Sequence, residues 1–232
     1  MKEMLTNKIL SGLRDIEFSG LMPLLEPVSF NSGECLAQAG DTIRFVYFPE
    51  SAVLSCQANM QDGKSAEVGV IGFEGLADIT TLNGARPAAH SLNVSIGGSA
   101  LRMKKDDFER EILRGGGLQK SLLAYTAEYV TQVSQRSACA IFHLLEERFA
   151  VWLLLVADRT DEEVIQITQE RIADHLGVRR AGVTVVAARM QAAGAISYRR
   201  GNLRIDNREM LKQMACECYG TLAVGPRQTT YM

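Results

Sequence analysis

The segment from Thr168 to Met190 constrains the fold of this chain more strongly than any other stretch. Its apolar residues recur with the spacing of two short amphipathic helices, and Gly177 separates the two. In the second helix this spacing places Val183, Val186 and Met190 on one face. Two helices joined by a glycine-containing turn are typical of a helix-turn-helix, whose second helix enters the DNA major groove.

Charge distinguishes this prediction from an ordinary helical hairpin, which the same spacing also fits. Between Ile165 and Ile205 the sequence has seven arginines and two acidic residues, whereas the whole chain has a formal net charge of -2. Two of the arginines precede Gly201 in a basic tight turn. A local concentration of arginine is typical of phosphate binding. The sequence therefore predicts a DNA-binding domain in this region.

Length and composition indicate a globular protein with two modest domains or one large one. The chain has 232 residues, of which 47% are hydrophobic. Its most apolar segment, around Trp152, is much shorter than the roughly 20 residues of a membrane span. Glu3, Asn7 and Lys8 do not fit the apolar core of a secretory signal. We therefore expect a cytoplasmic protein with no membrane partner.

Cysteine and histidine usage favours neither a disulfide framework nor a metal site. The five cysteines are odd in number and mostly scattered, which suits a reducing compartment. Only Cys216 and Cys218 are close in sequence, and their spacing differs from that of known zinc motifs. His90, His143 and His175 are isolated, and no catalytic motif is present. The sequence therefore predicts no metal site, no catalytic residues and no enzymatic activity.

The region from Val28 to Met103 has the pattern of an antiparallel β domain. Short apolar runs alternate there with glycine-containing turns, which predicts a sandwich or a barrel-like roll. The segment 61–64 predicts one hairpin, and the pair Gly97 and Gly98 predicts another. With the helices on either side, the fold class is α+β.

Helices are predicted on both sides of the β domain. Residues 3–26 form a helical cover, and three glycines at 115–117 provide a hinge before a long helix at 118–142. A narrow stripe of mostly apolar residues on this helix predicts a dimerisation seam between two copies of the helix. Packing of the helix on the β domain of the same chain fits the stripe as well. The stripe consists of Leu122, Tyr125, Tyr129, Val133 and Ala140.

Four segments follow from these patterns. A β-roll sensor domain is predicted at 1–114, and the hinge with the long helix at 115–143. A winged helix-turn-helix domain follows at 144–219. Residues 220–232 show no periodicity, so we expect a disordered tail there.

The order of a glycine-punctuated roll, a long helix and a basic winged domain resembles the Crp/Fnr family of bacterial transcription regulators. The most specific similarity lies in 167–173 and 176–178, with Ala195 and Ile196 leading into the wing. The roll is similar through 33–34, 39–41 and 46–51. The resemblance implies a homodimer that binds a near-palindromic operator, contacts RNA polymerase and is switched by a signal sensed in the roll. For the operator, half-sites one helical turn or a multiple apart match two symmetric recognition helices.

The sequence departs from the family pattern in a way that argues against a cyclic nucleotide as the effector. Relatives that bind one have a Gly-Glu cassette, followed after about ten residues by Arg-Ser or Arg-Thr. Here Arg86 precedes Pro87, which has neither a hydroxyl nor a backbone N–H to offer an anion. An iron-sulfur cluster held by N-terminal cysteines is not expected, because no cysteine precedes Cys35. The cofactor therefore stays unassigned, and the candidate effector pocket consists of Gly72, Phe73, Glu74, Gly75, Arg86 and Ala88.

The recognition helix is predicted to present a small apolar face to the bases. Projection of the helix places Ala181, Val185 and Ala188 opposite the core face. We expect Ala181 and Val185 to contact thymine methyl groups, while Arg180 and Thr184 read base edges. Other arginines hold phosphates. The predicted DNA-binding residues are Thr168, Gln169, Arg179, Arg180, Ala181, Thr184, Val185, Arg189, Arg199, Arg200 and Arg204.

An alternative is a ligand-binding or redox-sensing module whose winged domain contacts a protein. In that case the exposed apolar face of the recognition helix is buried against another protein element. Salt dependence separates the two hypotheses, because arginine-phosphate binding weakens steeply as salt rises, whereas an apolar interface does not.

Overall fold

Two antiparallel sheets form the N-terminal β-roll. In the computed structural model, which describes residues 5–77 and 87–225, the sheets have the strand orders β1-β7-β3 and β2-β6-β4-β5. Apolar side chains from both sheets pack between them, among them Tyr47 and Leu54. The predicted antiparallel roll is confirmed. Its strands are β1 (Leu25–Phe30), β2 (Cys35–Ala37), β3 (Phe45–Pro49), β4 (Val53–Asn59), β5 (Ser65–Ile71), β6 (Ser91–Ile96) and β7 (Gly98–Lys104).

One of the two predicted hairpins is present in the roll. β4 and β5 pair across 61–64, where Gly63 has a φ of 82°. The hairpin predicted at Gly97 and Gly98 is wrong. β6 pairs with β2 and β4, whereas β7 pairs with β1 and β3 in the other sheet. The chain changes sheets at Gly97, where a Cβ atom would lie 2.8 Å from the Phe30 carbonyl oxygen.

Two short helices cover one end of the roll. They are α1 (Lys8–Ser11) and α2 (Asp15–Leu21), and β1 follows after a single turn of 3-10 helix. The Asn7 side chain accepts a hydrogen bond from the Leu10 amide and donates one to the Gly75 carbonyl. The cover predicted at residues 3–26 is therefore helical only in part, and it is attached to the roll through Asn7.

A short helix and a long helix lead out of the roll. They are α3 (Lys105–Arg114) and α4 (Gly117–Phe142), and Gly115 and Gly116 between them have positive φ angles of 74° and 103°. The glycine junction and the long helix are as predicted. No helix in the described part of the chain is long and apolar enough to span a membrane.

The face of α4 that was predicted as a dimerisation seam packs mostly on the molecule's own roll. Leu122 and Tyr125 are buried among roll and cover residues, and Tyr129 is half-buried beside them. Val133 is half-buried further along the helix, and only Ala140 of the predicted stripe is exposed. Of the two packings that the sequence leaves open for this stripe, Leu122 and Tyr125 have the packing on the molecule's own roll, and dimerisation through the rest of the stripe stays a prediction.

The C-terminal part is a winged helical domain. A three-stranded sheet of order β8-β10-β9 lies beside its helices. The last helix continues past Gly220, where a disordered tail was predicted, and residues 226–232 of that tail lie outside the described part. The elements are α5 (Leu145–Ala157), β8 (Val164–Gln166), α6 (Gln169–Leu176), α7 (Arg180–Ala192), β9 (Ile196–Arg199), β10 (Asn202–Ile205), α8 (Arg208–Met214) and α9 (Cys218–Leu222).

The winged domain is packed against the roll. Val53, Val70 and Ile96 of the roll belong to the same buried cluster as Trp152 of α5 and Ile172 of α6. One apolar core therefore extends across the boundary between the two parts.

Candidate nucleic-acid interface

Local sequence sets both ends of α6. The Thr168 hydroxyl accepts a hydrogen bond from the Arg171 amide at 3.3 Å, as an N-capping residue does. At the other end Gly177 has a φ of 63°, a left-handed conformation that favours glycine. The turn then directs the chain into α7 at Arg180. The predicted helix-turn-helix is confirmed.

As predicted, one face of α7 is buried and the opposite face is exposed. Val183, Val186, Ala187 and Met190 are buried in the core of the winged domain. On the opposite side Ala181, Thr184 and Ala188 are exposed, and Val185 is 52% exposed. Val185 is one of the large apolar side chains that stay exposed in the described part of the chain, so this face is available to a partner.

The wing is a tight hairpin. β9 and β10 pair from Arg199 opposite Asn202, so the turn contains only Arg200 and Gly201, both with positive φ. The Tyr198 hydroxyl donates a 2.8 Å hydrogen bond to the Ile167 carbonyl and holds the wing against the start of the helix-turn-helix. Arg199, Arg200 and Arg204 are exposed on this hairpin.

A groove of about 510 Å³ lies between the helix-turn-helix and the wing. Four of the predicted DNA-binding residues line it, namely Thr168, Gln169, Arg180 and Arg200. The Thr184 hydroxyl lies 2.6 Å from Gln169 Oε1, which links α7 to α6 beside the groove. Hydroxyl, amide and guanidinium groups therefore share one surface, and the acidic side chain of Glu170 also lines it.

The exposed arginines of the domain fall into two groups. Arg189 lies 3.7 Å from a Glu146 carboxylate oxygen, and Arg204 donates to Asp206 at 2.7 Å, so their charges are partly neutralised. Within the described residues no carboxylate forms an ion pair with Arg179, Arg180, Arg199 or Arg200, all of which are exposed. This second group is the part of the positive surface that is free to bind phosphate.

Arg171, which contributes to the local positive charge, faces the roll. A Cβ atom on Gly33 would lie 2.3 Å from the Arg171 guanidinium, so that group rests directly against the glycine. Ser32 beside it lies 3.4 Å from the Gln166 carbonyl oxygen, to which its hydroxyl donates. Arg171 is therefore part of the contact between the two domains.

A buried carboxylate is at the centre of that contact. Glu67 of β5 accepts hydrogen bonds from Trp152 Nε1 at 3.0 Å and from Arg136 Nη2 at 2.9 Å. Its other oxygen lies 2.8 Å from His175 Nδ1 of α6. Burial by itself raises the pKa of Glu67, but His175, Arg136 and the hydrogen bonds outweigh burial, so the pKa lies below its ordinary value.

The predicted effector residues are not all in one place. Glu74 lines a cavity of about 550 Å³ beside α4, together with Tyr125 and Arg159. Ala88 does not line that cavity and is instead hydrogen-bonded through its backbone to Asp41 and Gly40. Phe73 is buried, and Arg86 lies outside the described residues.

The Glu74 carboxylate already has a partner in the chain. Arg159, which follows α5, donates to it through Nε at 2.7 Å, and both side chains are buried. The Arg159 side chain also lies against Gly72, where a Cβ atom would approach it to 2.8 Å. Residues 72–75, which belong to the candidate effector pocket, therefore anchor the end of α5.

Four residues that the sequence interpretation treated as unrelated lie close together. Cys139, His143, Cys216 and Cys218 have their thiol and imidazole atoms within 4.8 Å of one another. His143 is thus not isolated, and Cys216 and Cys218 have a second potential ligand pair beside them. The signal that was missed is the C-x3-H spacing of Cys139 and His143, which matches no common zinc motif by itself.

A comparison with protein families finds one match in this part of the chain. Residues 147–214 match the family described as the Crp-like helix-turn-helix domain. No curated protein is similar enough in sequence to count as a relative.

Solved structures with the same fold span most of the chain. FixK2 from Bradyrhizobium japonicum has a TM-score of 0.68 at 15% identity, over 83% of this chain and 98% of its own. A putative Crp/Fnr-family regulator from Eubacterium rectale has a TM-score of 0.70 at 14% identity, over 90% of this chain and 98% of its own. A Crp/Fnr-family regulator from Thermus thermophilus has a TM-score of 0.66 at 19% identity, over 82% and 98%. At these identities the similarity shows the fold.

Proposed function

Because the chain carries a Crp-like helix-turn-helix domain within the fold of the Crp/Fnr transcription regulators, we propose that it is a homodimeric, sequence-specific DNA-binding regulator. The observation that carries the proposal is the open surface formed by α7 and the wing. Its unpaired arginines surround a small apolar helix face that stays exposed. Such a surface matches the phosphates and base edges of a major groove.

Each exposed group on this surface has a proposed role. Arg180 and Thr184 read base edges, while Ala181 and Val185 lie against thymine methyl groups. The supporting observation for Arg180 is its position in the groove beside Gln169. Phosphate contacts come first from Arg179, Arg199 and Arg200, which have no ion pair among the described residues. Thr168 adds a hydroxyl, and Arg189 and Arg204 contact phosphate in exchange for their carboxylate partners.

The exposed face of α4 supports a homodimer. Leu123, Val130 and Ile141 are 63%, 58% and 75% exposed. With Ala127, Ser134 and Ser137 they follow a four-three spacing along the helix, as core positions of a two-helix coiled coil do. A second copy of the chain is the occupant we propose, because a symmetric seam pairs each helix with its equivalent. Two recognition helices then match a near-palindromic operator.

The signal is proposed to act at the roll and to differ from cAMP. Support comes from Glu74, whose carboxylate is held by Arg159 and is therefore engaged within the chain. The cavity beside it is lined by Tyr125, Tyr129 and Gln132 of α4. A molecule bound there contacts the helix that carries the dimer seam. Native mass spectrometry of the purified protein tests for such a molecule and reports the dimer mass as well.

Selection of binding sites from a random DNA library tests the function directly. We expect an enriched sequence with two related half-sites, and affinity that falls steeply as salt rises. The Arg180→Ala variant should relax the preference at one position of each half-site, at a cost of about 1–3 kcal/mol. The matched variant Arg199→Ala should weaken binding to all sequences by a similar factor.

Two outcomes contradict the proposal in different ways. Binding without any enriched sequence removes the base-reading role and leaves only electrostatic affinity. No DNA binding at all, or binding that salt does not weaken, favours the alternative in which the winged domain contacts a protein. RNA polymerase is a further proposed partner, and co-purification on operator DNA checks it.

A further inference from the structure

Three thiols and one imidazole converge where the long helix meets the winged domain. Cys139 and His143 lie at the end of α4, while Cys216 lies between α8 and α9 and Cys218 begins α9. The Cys139 and Cys216 sulfur atoms are 3.6 Å apart, and the Cys218 sulfur is 3.5 Å from His143 Nδ1. All three cysteines are buried, and His143 is half-buried. Seventy-odd residues of chain separate the two pairs, so only the fold brings them together.

Two of the interatomic distances match the edges of a tetrahedral zinc site, and all four ligand atoms lie within 4.8 Å of one another. With Zn–S bonds of about 2.3 Å and Zn–N bonds of about 2.0–2.1 Å, a regular tetrahedron has S···S edges of roughly 3.8 Å and S···N edges of roughly 3.6 Å. The two close approaches in the cluster are within about 0.2 Å of these values. Three thiolates and one imidazole are also a ligand set of structural zinc sites.

The groups around the cluster are those that support metal ligands. His143 Nε2, on the far side of the ring from Cys218, lies 3.2 Å from a Glu217 carboxylate oxygen. A metal-bound histidine usually donates its second ring N–H to such a carboxylate, which orients the ring. Gln135 Nε2 donates to the Cys218 sulfur at 3.1 Å. This hydrogen bond holds the sulfur in place beside His143.

We propose that Cys139, His143, Cys216 and Cys218 bind a zinc ion in a closed tetrahedral site. The ion cross-links the end of α4 to the start of α9 and to Cys216 just before it. His143 has extended backbone angles, φ -111° and ψ 148°, so the site lies at the break between the long helix and the winged domain. Zinc therefore holds the winged domain at a defined position relative to the long helix.

Metal content of the untagged, full-length protein tests the proposal. Elemental analysis after gel filtration should find about one zinc ion per chain. The variant Cys218→Ser should retain less than a fifth of that amount. The matched control Cys35→Ser should keep it all, because Cys35 is exposed on β2 and outside the cluster. Equal zinc content in wild type and Cys218→Ser overturns the proposal.

A second variant covers the case in which Cys218→Ser does not fold. Glu217 is 81% exposed, so Glu217→Ala should leave the fold intact while it removes the partner of His143. Zinc affinity, measured by competition with a chromophoric chelator, should fall about 10- to 100-fold. Unchanged affinity contradicts the assignment of His143 as a ligand.

Cobalt binding and the oxidation state of the thiols distinguish a zinc site from a disulfide between two of the cysteines. Co²⁺ added to chelator-treated wild type should produce the intense visible bands of tetrahedral thiolate coordination, and zinc should abolish them. A Cys139–Cys216 disulfide in the protein as isolated, found by mass spectrometry without reduction, together with no cobalt bands, overturns the zinc site. None of these measurements involves DNA, so failure here is distinct from failure of the proposed regulator function.

Discussion

Glu67 is a residue whose surroundings come from four different elements. Its neighbours are Ser55, Arg136, Trp152 and His175, from β4, α4, α5 and α6. A buried charge is tolerated only when it is paired and hydrogen-bonded. The carboxylate therefore stabilises the packed arrangement of roll, long helix and winged domain, and loss of any one partner leaves part of its charge uncompensated.

The variant His175→Gln tests this dependence. We expect the free energy of unfolding to fall by about 1–3 kcal/mol, because glutamine lacks the imidazole ring that lies beside the buried carboxylate and stacks on Trp152. Urea unfolding of the variant and the wild type measures the difference. His90→Gln, at a half-buried position in the roll, is the control and should change stability much less. Equal losses in the two variants contradict a specific role of His175.

At the scale of elements, α4 has two faces with different uses. The side that carries Leu122 and Tyr125 completes the core of the roll, whereas the side that carries Leu123 and Val130 is exposed. A helix 26 residues long provides enough surface for both. Because both faces belong to one helix, a movement of α4 on the roll also displaces the proposed dimer seam.

The variant Val130→Arg tests the seam. An arginine at this position meets its own copy across the two-fold axis, and two like charges in an apolar interface oppose association. We expect the dimer to dissociate at least tenfold more readily in sedimentation equilibrium. Glu128→Arg introduces the same side chain on an exposed position off the seam and should leave the dimer unchanged. A stable Val130→Arg dimer excludes this face as the interface.

At the scale of the whole molecule, the roll and the winged domain are packed as one body with a polar centre. Apolar residues of both parts share a core, and Glu67 lies inside it. The pKa of Glu67 is lowered from an ordinary value of 4.5. A carboxyl with a lowered pKa contributes stability that is complete above its unfolded-state value and is lost as pH falls through its folded-state value.

The loss of thermal stability at acid pH should therefore report on the packing of the roll against the winged domain. We expect the Tm to vary little between pH 7 and about pH 5 and to fall below about pH 4.5. The fall should be shallower in Glu67→Gln, which has no charge to lose. Trp152 is the only tryptophan and donates to Glu67, so its fluorescence follows this part of the molecule. Parallel acid slopes in the two proteins contradict the assignment to Glu67.

Several parts of the fold were predictable because they depend on neighbours in sequence. The helix-turn-helix follows from apolar periodicity, from the Thr168 cap and from Gly177. The wing follows from two residues, Arg200 and Gly201, that adopt positive φ. The exposed face of α7, with Val185 at its centre, followed from helical projection alone. In each case the determining interactions span fewer than about ten residues.

The predictions that were wrong or left open all concern contacts between distant segments. The turn at Gly97 has the local pattern of a hairpin, yet strand pairing across two sheets decides its geometry. The stripe on α4 has the periodicity of a seam, but an aromatic face packs equally well on a roll or on a second helix. Periodicity shows that a face is buried without showing what buries it.

The sequence by itself determined a DNA-binding helix-turn-helix, an antiparallel roll and a long helix between them, because secondary structure and charge are local properties. Only the tertiary structure decided that Glu67 holds the winged domain to the roll and that Glu74 is bound by Arg159. It also brought Cys139 and His143 to Cys216 and Cys218. Such clusters depend on side chains that are about 75 to 85 residues apart in the chain, and burial in a packed core is what places them within bonding distance.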